Sequence, residues 1–222
     1  DEILNRVGHL PATWLPGALL RRAEMEAQDE SGGVIAIDHG ALLSRCVAPI
    51  TEAHVGNPDI SKAIAALIDL ASNTGTIGCC LPRLFLRVDP EGLVVPQEVA
   101  NRLRATSSPD DLRRLARIAG GYAIASRPWR TIAQPIVERA NSEFGLQERR
   151  RLFSALIPTG VKVWWATPGE VPQQFADDTQ RAEELLGAET DTAFRAFWEW
   201  HLAAAKAELR REEEEAKEER GE

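Results

Sequence analysis

Residues 84–95, Leu-Phe-Leu-Arg-Val-Asp-Pro-Glu-Gly-Leu-Val-Val, decide the fold class of this chain because they carry its clearest β signal. Two short apolar runs flank the turn sequence at 89–92. Proline at the second turn position and glycine at the fourth favour a type I turn that closes a hairpin, in which Gly92 supplies a positive φ. Pro96 is expected to end the second strand. The stretch therefore predicts an antiparallel hairpin over 84–95.

The sequence on either side of this stretch has mainly helical periodicity. Asn57 followed by Pro58 is a typical helix start, with a capping residue before proline at the first helical position. Four apolar residues follow at i, i+4, i+7 and i+8, namely Ile60, Ile64, Leu67 and Ile68. This spacing predicts an amphipathic helix that ends near Asn73.

A second apolar stripe runs through the C-terminal part of the chain. Its members recur at helical spacing and are Phe194, Phe197, Trp198, His201, Leu202, Ala205 and Leu209. The stripe ends at Leu209, and residues 210–222 hold seven acidic and four basic side chains. These features predict a long C-terminal helix that suits a coiled-coil contact and ends in a charged, solvated tail.

These patterns together predict a mainly α-helical α+β protein. Its small antiparallel β component would be the hairpin 84–95 and a candidate strand at 161–167. We expect residues 1–175 to form one compact, mainly helical domain. Residues 176–222 are expected to form the long C-terminal helix with its charged tail.

Composition and charge narrow the class of protein. The 222 residues are 44% hydrophobic and 27% charged, which is ordinary globular composition and excludes collagenous and disordered classes. A net charge of −8 repels phosphate backbones on average. The chain has three cysteines, Cys46, Cys79 and Cys80. An odd number with two adjacent does not suit a disulfide framework, so we expect a reducing, cytoplasmic compartment. No apolar run approaches the length of a membrane span, so we expect none.

The sharpest enzymatic hypothesis places a site at Asp38 and His39. They follow the apolar run 34–37, and ligands of open α/β sheets gather where strands end. An adjacent carboxylate and imidazole can supply a general base, and Cys79 can supply a nucleophile if it lies at a helix start. This alternative is a small hydrolase or transferase. The competing interpretation is that Asp38 caps a helix and that Cys79 is a small buried residue.

The sequence predicts neither a metal site nor a cofactor. The four histidines are isolated from one another, and no HExxH or CxxC spacing occurs. No glycine-rich phosphate-binding loop is present either.

A nucleic-acid-binding alternative rests on the same hairpin. A helix followed by a hairpin is typical of a winged-helix module, and Arg83 and Arg87 on the wing would contact phosphates. This interpretation is weakened because only residues 76–83 remain for a recognition helix, and Gly78 and Pro82 interrupt them. Nucleic-acid binding is therefore the less favoured alternative.

Tryptophans supply the candidates for partner binding. Trp164 and Trp165 are adjacent in the candidate strand, so one of them faces away from the local core. Trp198 and Trp200 are two residues apart on a helix, roughly 200° around its axis, and cannot share one face. Since tryptophan is enriched at interface hot spots, Trp164, Trp165 and Trp200 are the candidate partner-binding residues.

The preferred functional prediction is a non-enzymatic interaction protein. It would be an adaptor or a subunit of a larger protein assembly, with protein partners or with a second copy of itself bound through the C-terminal helix. The outward tryptophans, the long terminal helix and the lack of a nucleophile–base or metal constellation are the grounds for it.

Overall fold

The described part of the chain is helical throughout its regular structure. The computed structural model describes residues 13, 48–72, 85–157, 167 and 169–221. None of these residues lies in a strand, so the expected α+β class is wrong. The elements are a 3-10 helix Glu52–His54 and the α-helices α1 Pro58–Ser72, α2 Val95–Ala105, α3 Pro109–Ala119, α4 Arg127–Glu143, α5 Leu146–Leu156, α6 Gln173–Ala188 and α7 Thr192–Arg220.

The predicted hairpin 84–95 is replaced by a turn between two helical stretches. Residues 85–88 are helical, and α2 begins at Val95, with Pro96 in its first turn. A strand would place residues 86 and 88 on one face. Instead, Leu86 is 43% exposed while Val88 is fully buried. The burial pattern thus follows a helix, and the short apolar run did not distinguish the two periods.

The Asp89 carboxylate explains why the chain leaves the turn as a helix. Its Oδ1 accepts from the Leu93 N–H at 2.8 Å, and its Oδ2 accepts from the N–H groups of Val94 and Val95 at 2.9 and 2.7 Å. These donors lie at the start of α2, where backbone N–H groups have no partner within the helix. Asp89 is fully buried, and through these three bonds its carboxylate caps the start of α2.

Unit one comprises Asp1–Ile136 and Ser154–Thr159. Within it α1 packs against α2 and α3 through its predicted apolar stripe, and all four stripe residues are buried. The Asn57 side chain caps α1 by accepting from the Asp59 N–H at 2.9 Å, as predicted. Trp129 of α4 is fully buried and donates from Nε1 to the Leu156 carbonyl oxygen at 2.9 Å.

Replacing Gly92 by alanine is expected to lower the free energy of unfolding by at least about 2 kcal/mol. Gly92 has the predicted positive φ, +64°, and an added Cβ would lie 2.4 Å from the Pro128 Cβ. Gly187 in α6 is the matched control, since a Cβ there meets nothing within 4 Å. Gly187→Ala should stabilise by about 0.5–1 kcal/mol. Urea denaturation followed by circular dichroism measures both changes, and equal effects would contradict the prediction.

Unit two comprises Val137–Phe153 and Gly160–Glu222. In it α6 and α7 pack against each other as a helical hairpin, and residues 189–191 join the two helices. The buried core of this hairpin includes Phe175, Phe194, Phe197 and Trp198. Instead of the expected single long helix over 176–222, the chain forms two helices there, because α6 ends at Ala188 and α7 begins at Thr192.

The candidate strand 161–167 lies outside the described residues except for Thr167, which is not in regular structure. The division into domains at residue 175 remains a prediction.

Candidate partner-binding surface

Only two of the eight candidate site residues named from the sequence can be located in the structure. Trp200 lies in α7 and Arg87 lies in the helical stretch 85–88. The other six lie outside the described residues: Asp38, His39, Cys79, Arg83, Trp164 and Trp165. Whether Asp38 and His39 share a site therefore remains a prediction, as does any nucleophilic role for Cys79.

Arg87 is exposed, but it does not lie on a wing. Residues 85–95 form helix and turn instead of the hairpin that a winged-helix module requires. The nucleic-acid alternative therefore loses the structural element that suggested it.

Trp200 is half-buried at the edge of an aromatic cluster in unit two. Its ring centroid lies 5.7 Å from that of Phe153, 6.0 Å from that of Phe197 and 6.4 Å from that of His201. Trp198, by contrast, is only 2% exposed. The two tryptophans differ in exposure, as expected for side chains on different faces of one helix. Trp200 therefore exposes part of an indole that is packed against other rings.

An apolar face continues from Trp200 along α7. Ala203, Ala204 and Ala207 follow it at i+3, i+4 and i+7, and all three alanines are exposed. We refer to these four residues as the alanine face. The side chains of α7 that are buried in the hairpin, such as Phe194 and Trp198, lie at other positions around the helix. The alanine face is thus a second apolar surface on a helix that already has a core-facing one.

The hairpin also carries the negative charge of the protein. Residues 169–221 contain fifteen acidic and seven basic side chains, a net charge of −8 that equals that of the whole chain. Several glutamates on the last three turns of α7 are exposed, among them Glu213, Glu214, Glu215, Glu218 and Glu219. Such a surface repels phosphate backbones.

A buried glutamate at the corner between α6 and α7 was not predicted from the sequence. Glu189 is 7% exposed, and its Oε2 accepts from Trp198 Nε1 at 3.0 Å. Its Oε1 accepts from the N–H groups of Thr190 and Asp191 at 3.0 and 2.9 Å. Asp191 in turn caps α7 by accepting from the Ala193 N–H at 2.8 Å. The sequence does contain a signal for this corner, because the polar run Glu189-Thr190-Asp191 separates two stretches with helical periodicity.

The other buried carboxylate, Asp89, lies near a buried tyrosine. Tyr122 is 2% exposed, and among the described residues its hydroxyl has no hydrogen-bond partner. Burial raises the pKa of Tyr122 well above its usual value, and the negative charge of Asp89 raises it further. The tyrosine therefore stays protonated. Asp89 itself is engaged by three backbone N–H groups, which is a structural use of a carboxylate rather than acid–base chemistry.

Other kinds of site find no support within the described ranges. No group of three or more histidine, cysteine or acidic residues there is arranged to hold a metal ion. None of the helices in that part of the chain combines the length and apolar character needed to cross a lipid bilayer.

Comparison of the chain with protein-family models, with curated proteins and with solved structures gives no match in any of the three.

Proposed function

We propose that this protein is a non-enzymatic interaction protein, an adaptor or a subunit of a larger protein assembly in the reducing cytoplasm. The observation that carries the proposal is the alanine face of α7. An exposed apolar surface on a helix that already packs through other side chains is typical of a contact with another helix.

The chemistry of the alanine face suits a helical protein partner. Small side chains let two helices approach closely, because the separation of packed helices depends on the side chains at the contact. Trp200 lies at one end of the face and is the residue type that most often contributes a hot spot. The acidic residues farther along α7 would form the polar rim that surrounds the apolar centre of such an interface.

Introducing two glutamates at Ala203 and Ala207 is expected to weaken association about tenfold or more. The substitutions bury unpaired charge in the proposed interface. They should leave the fold of the monomer intact, because both positions are exposed and glutamate is a good helix former. Sedimentation of the purified protein measures association between its own copies. Isolation from its native cell in low salt, with determination of mass and stoichiometry, measures association with another protein.

Ala176→Glu is the matched control, because Ala176 is an exposed alanine of α6 outside the alanine face. The wild type and this control should form the same complex at a fixed ratio, and the double variant should not. A protein that is a monomer in both measurements, or a complex that the double variant retains, would exclude the proposed interface.

A further inference from the structure

The last turn of α7 holds a short turn of the chain that lies far away in sequence. The Gly169 N–H donates to Glu219 Oε2 at 2.6 Å, and the Arg220 guanidinium donates to the Gly169 carbonyl oxygen. Ala216, one helical turn earlier, is 5% exposed. We call the contact of Gly169 with Glu219 and Arg220 the terminal latch. Both backbone polar groups of one residue are thus bound by side chains of opposite charge.

Gly169 has the geometry that this contact requires. Its φ is +82°, and an added Cβ would lie 2.8 Å from Arg220 Cγ. The adjacent Glu170 N–H donates to the Thr167 carbonyl oxygen at 2.9 Å, which closes the turn. A side chain at residue 169 would therefore oppose both the backbone conformation and the approach of α7.

The latch is much less strongly packed than the rest of the hairpin. Along α7 beyond Leu209, Ala216 is the one described residue that is buried, and it contributes a single methyl group. The first half of the helix buries Phe194, Phe197 and Trp198. Local opening requires little free energy where few apolar contacts are lost. The end of α7 can therefore separate from Gly169 while the hairpin core stays intact.

We infer that the terminal latch is a conformational switch that opens and closes independently of the hairpin core and depends on the charge of Glu219. The switch does not depend on the proposed function, since the latch involves none of the residues of the alanine face.

Hydrogen exchange of the Gly169 amide tests the switch directly, because Glu219 is its acceptor. Glu219→Ala should accelerate this exchange about tenfold or more, which corresponds to the loss of one hydrogen bond to a charged group. The exchange of the Phe194 and Phe197 amides should stay unchanged. Glu213→Ala is the matched control, since Glu213 is an exposed glutamate on the same helix, and it should leave Gly169 unaffected.

Glu219→Gln supplies a second measurement in the full-length protein. It keeps an acceptor oxygen without the charge, so Gly169 exchange should be faster than in the wild type and slower than in Glu219→Ala. Exchange in Glu219→Gln equal to that of the wild type would overturn the dependence on charge. Gly169 exchange that is equal in the wild type and Glu219→Ala, or that matches the exchange of the core amides in the wild type, would overturn the switch. Sedimentation of these variants reports on the proposed function separately.

Discussion

Asp89→Ala is expected to lower the free energy of unfolding by about 3–5 kcal/mol, because it leaves buried backbone N–H groups without an acceptor. The carboxylate is fully buried and accepts from three N–H groups at the start of α2. Water cannot easily replace it at a fully buried site. Urea denaturation monitored by circular dichroism measures the change, and amide exchange of Val94 and Val95 locates it.

Asp89→Asn separates the charge of this side chain from its shape. The amide keeps one acceptor oxygen but presents an NH₂ group where the carboxylate had its second oxygen. We expect an effect smaller than that of alanine and still above about 1 kcal/mol. Asp59→Ala is the control, since Asp59 is exposed in the first turn of α1 and should cost no more than about 0.5 kcal/mol. An alanine effect at Asp89 as small as this control would show that the carboxylate does not hold the turn.

Trp198→Ala is expected to destabilise unit two by about 3–5 kcal/mol, the usual range for a large side chain removed from a core. The indole is 2% exposed, and its ring centroid lies 4.7 Å from that of Phe197. The substitution also removes the donor that Glu189 Oε2 accepts from. The cost therefore combines a cavity with a buried carboxylate that has lost one hydrogen bond.

Trp198→Phe divides this cost into its two parts. Phenylalanine keeps one aromatic ring and lacks the N–H, so its loss of about 1–3 kcal/mol contains the bond with Glu189 and a smaller cost for the reduced ring. Combining it with Glu189→Gln in a double-mutant cycle measures the coupling of the pair. Denaturation curves that coincide for wild type and Trp198→Phe would show that this bond contributes nothing to stability.

Local signals in the sequence were reliable at the start of α1 and at the turn 89–92. Asn57 and Pro58 predicted the start of α1, and the positive φ at Gly92 was predicted from its turn position. Both depend on interactions within a few residues: a side chain that caps its own helix, and a backbone conformation that favours glycine.

The predicted fold class was wrong. The turn at 89–92 was identified correctly, but the segments on either side of it are helical and were predicted as strands. Asp-Pro-Glu-Gly can reverse either a strand or a helix, and the short apolar runs on either side of it are too short to distinguish the two periods. The helical outcome reflects the burial of Val88 and of Asp89 against other parts of unit one. Trp200 was correctly placed away from Trp198, but its neighbour Phe153 on α5 could not be paired with it from sequence spacing alone.

Short-range patterns thus suffice for the cap of α1, the position of the turn at 89–92 and the apolar stripes of α1 and α7. The tertiary structure decides the contact of Glu219 with Gly169 and the pairing of Trp129 with the Leu156 carbonyl oxygen. The physical reason is the range of the interactions. A cap or a glycine φ depends on a few neighbouring residues, whereas these contacts join residues 50 and 27 positions apart and form only when the chain has folded.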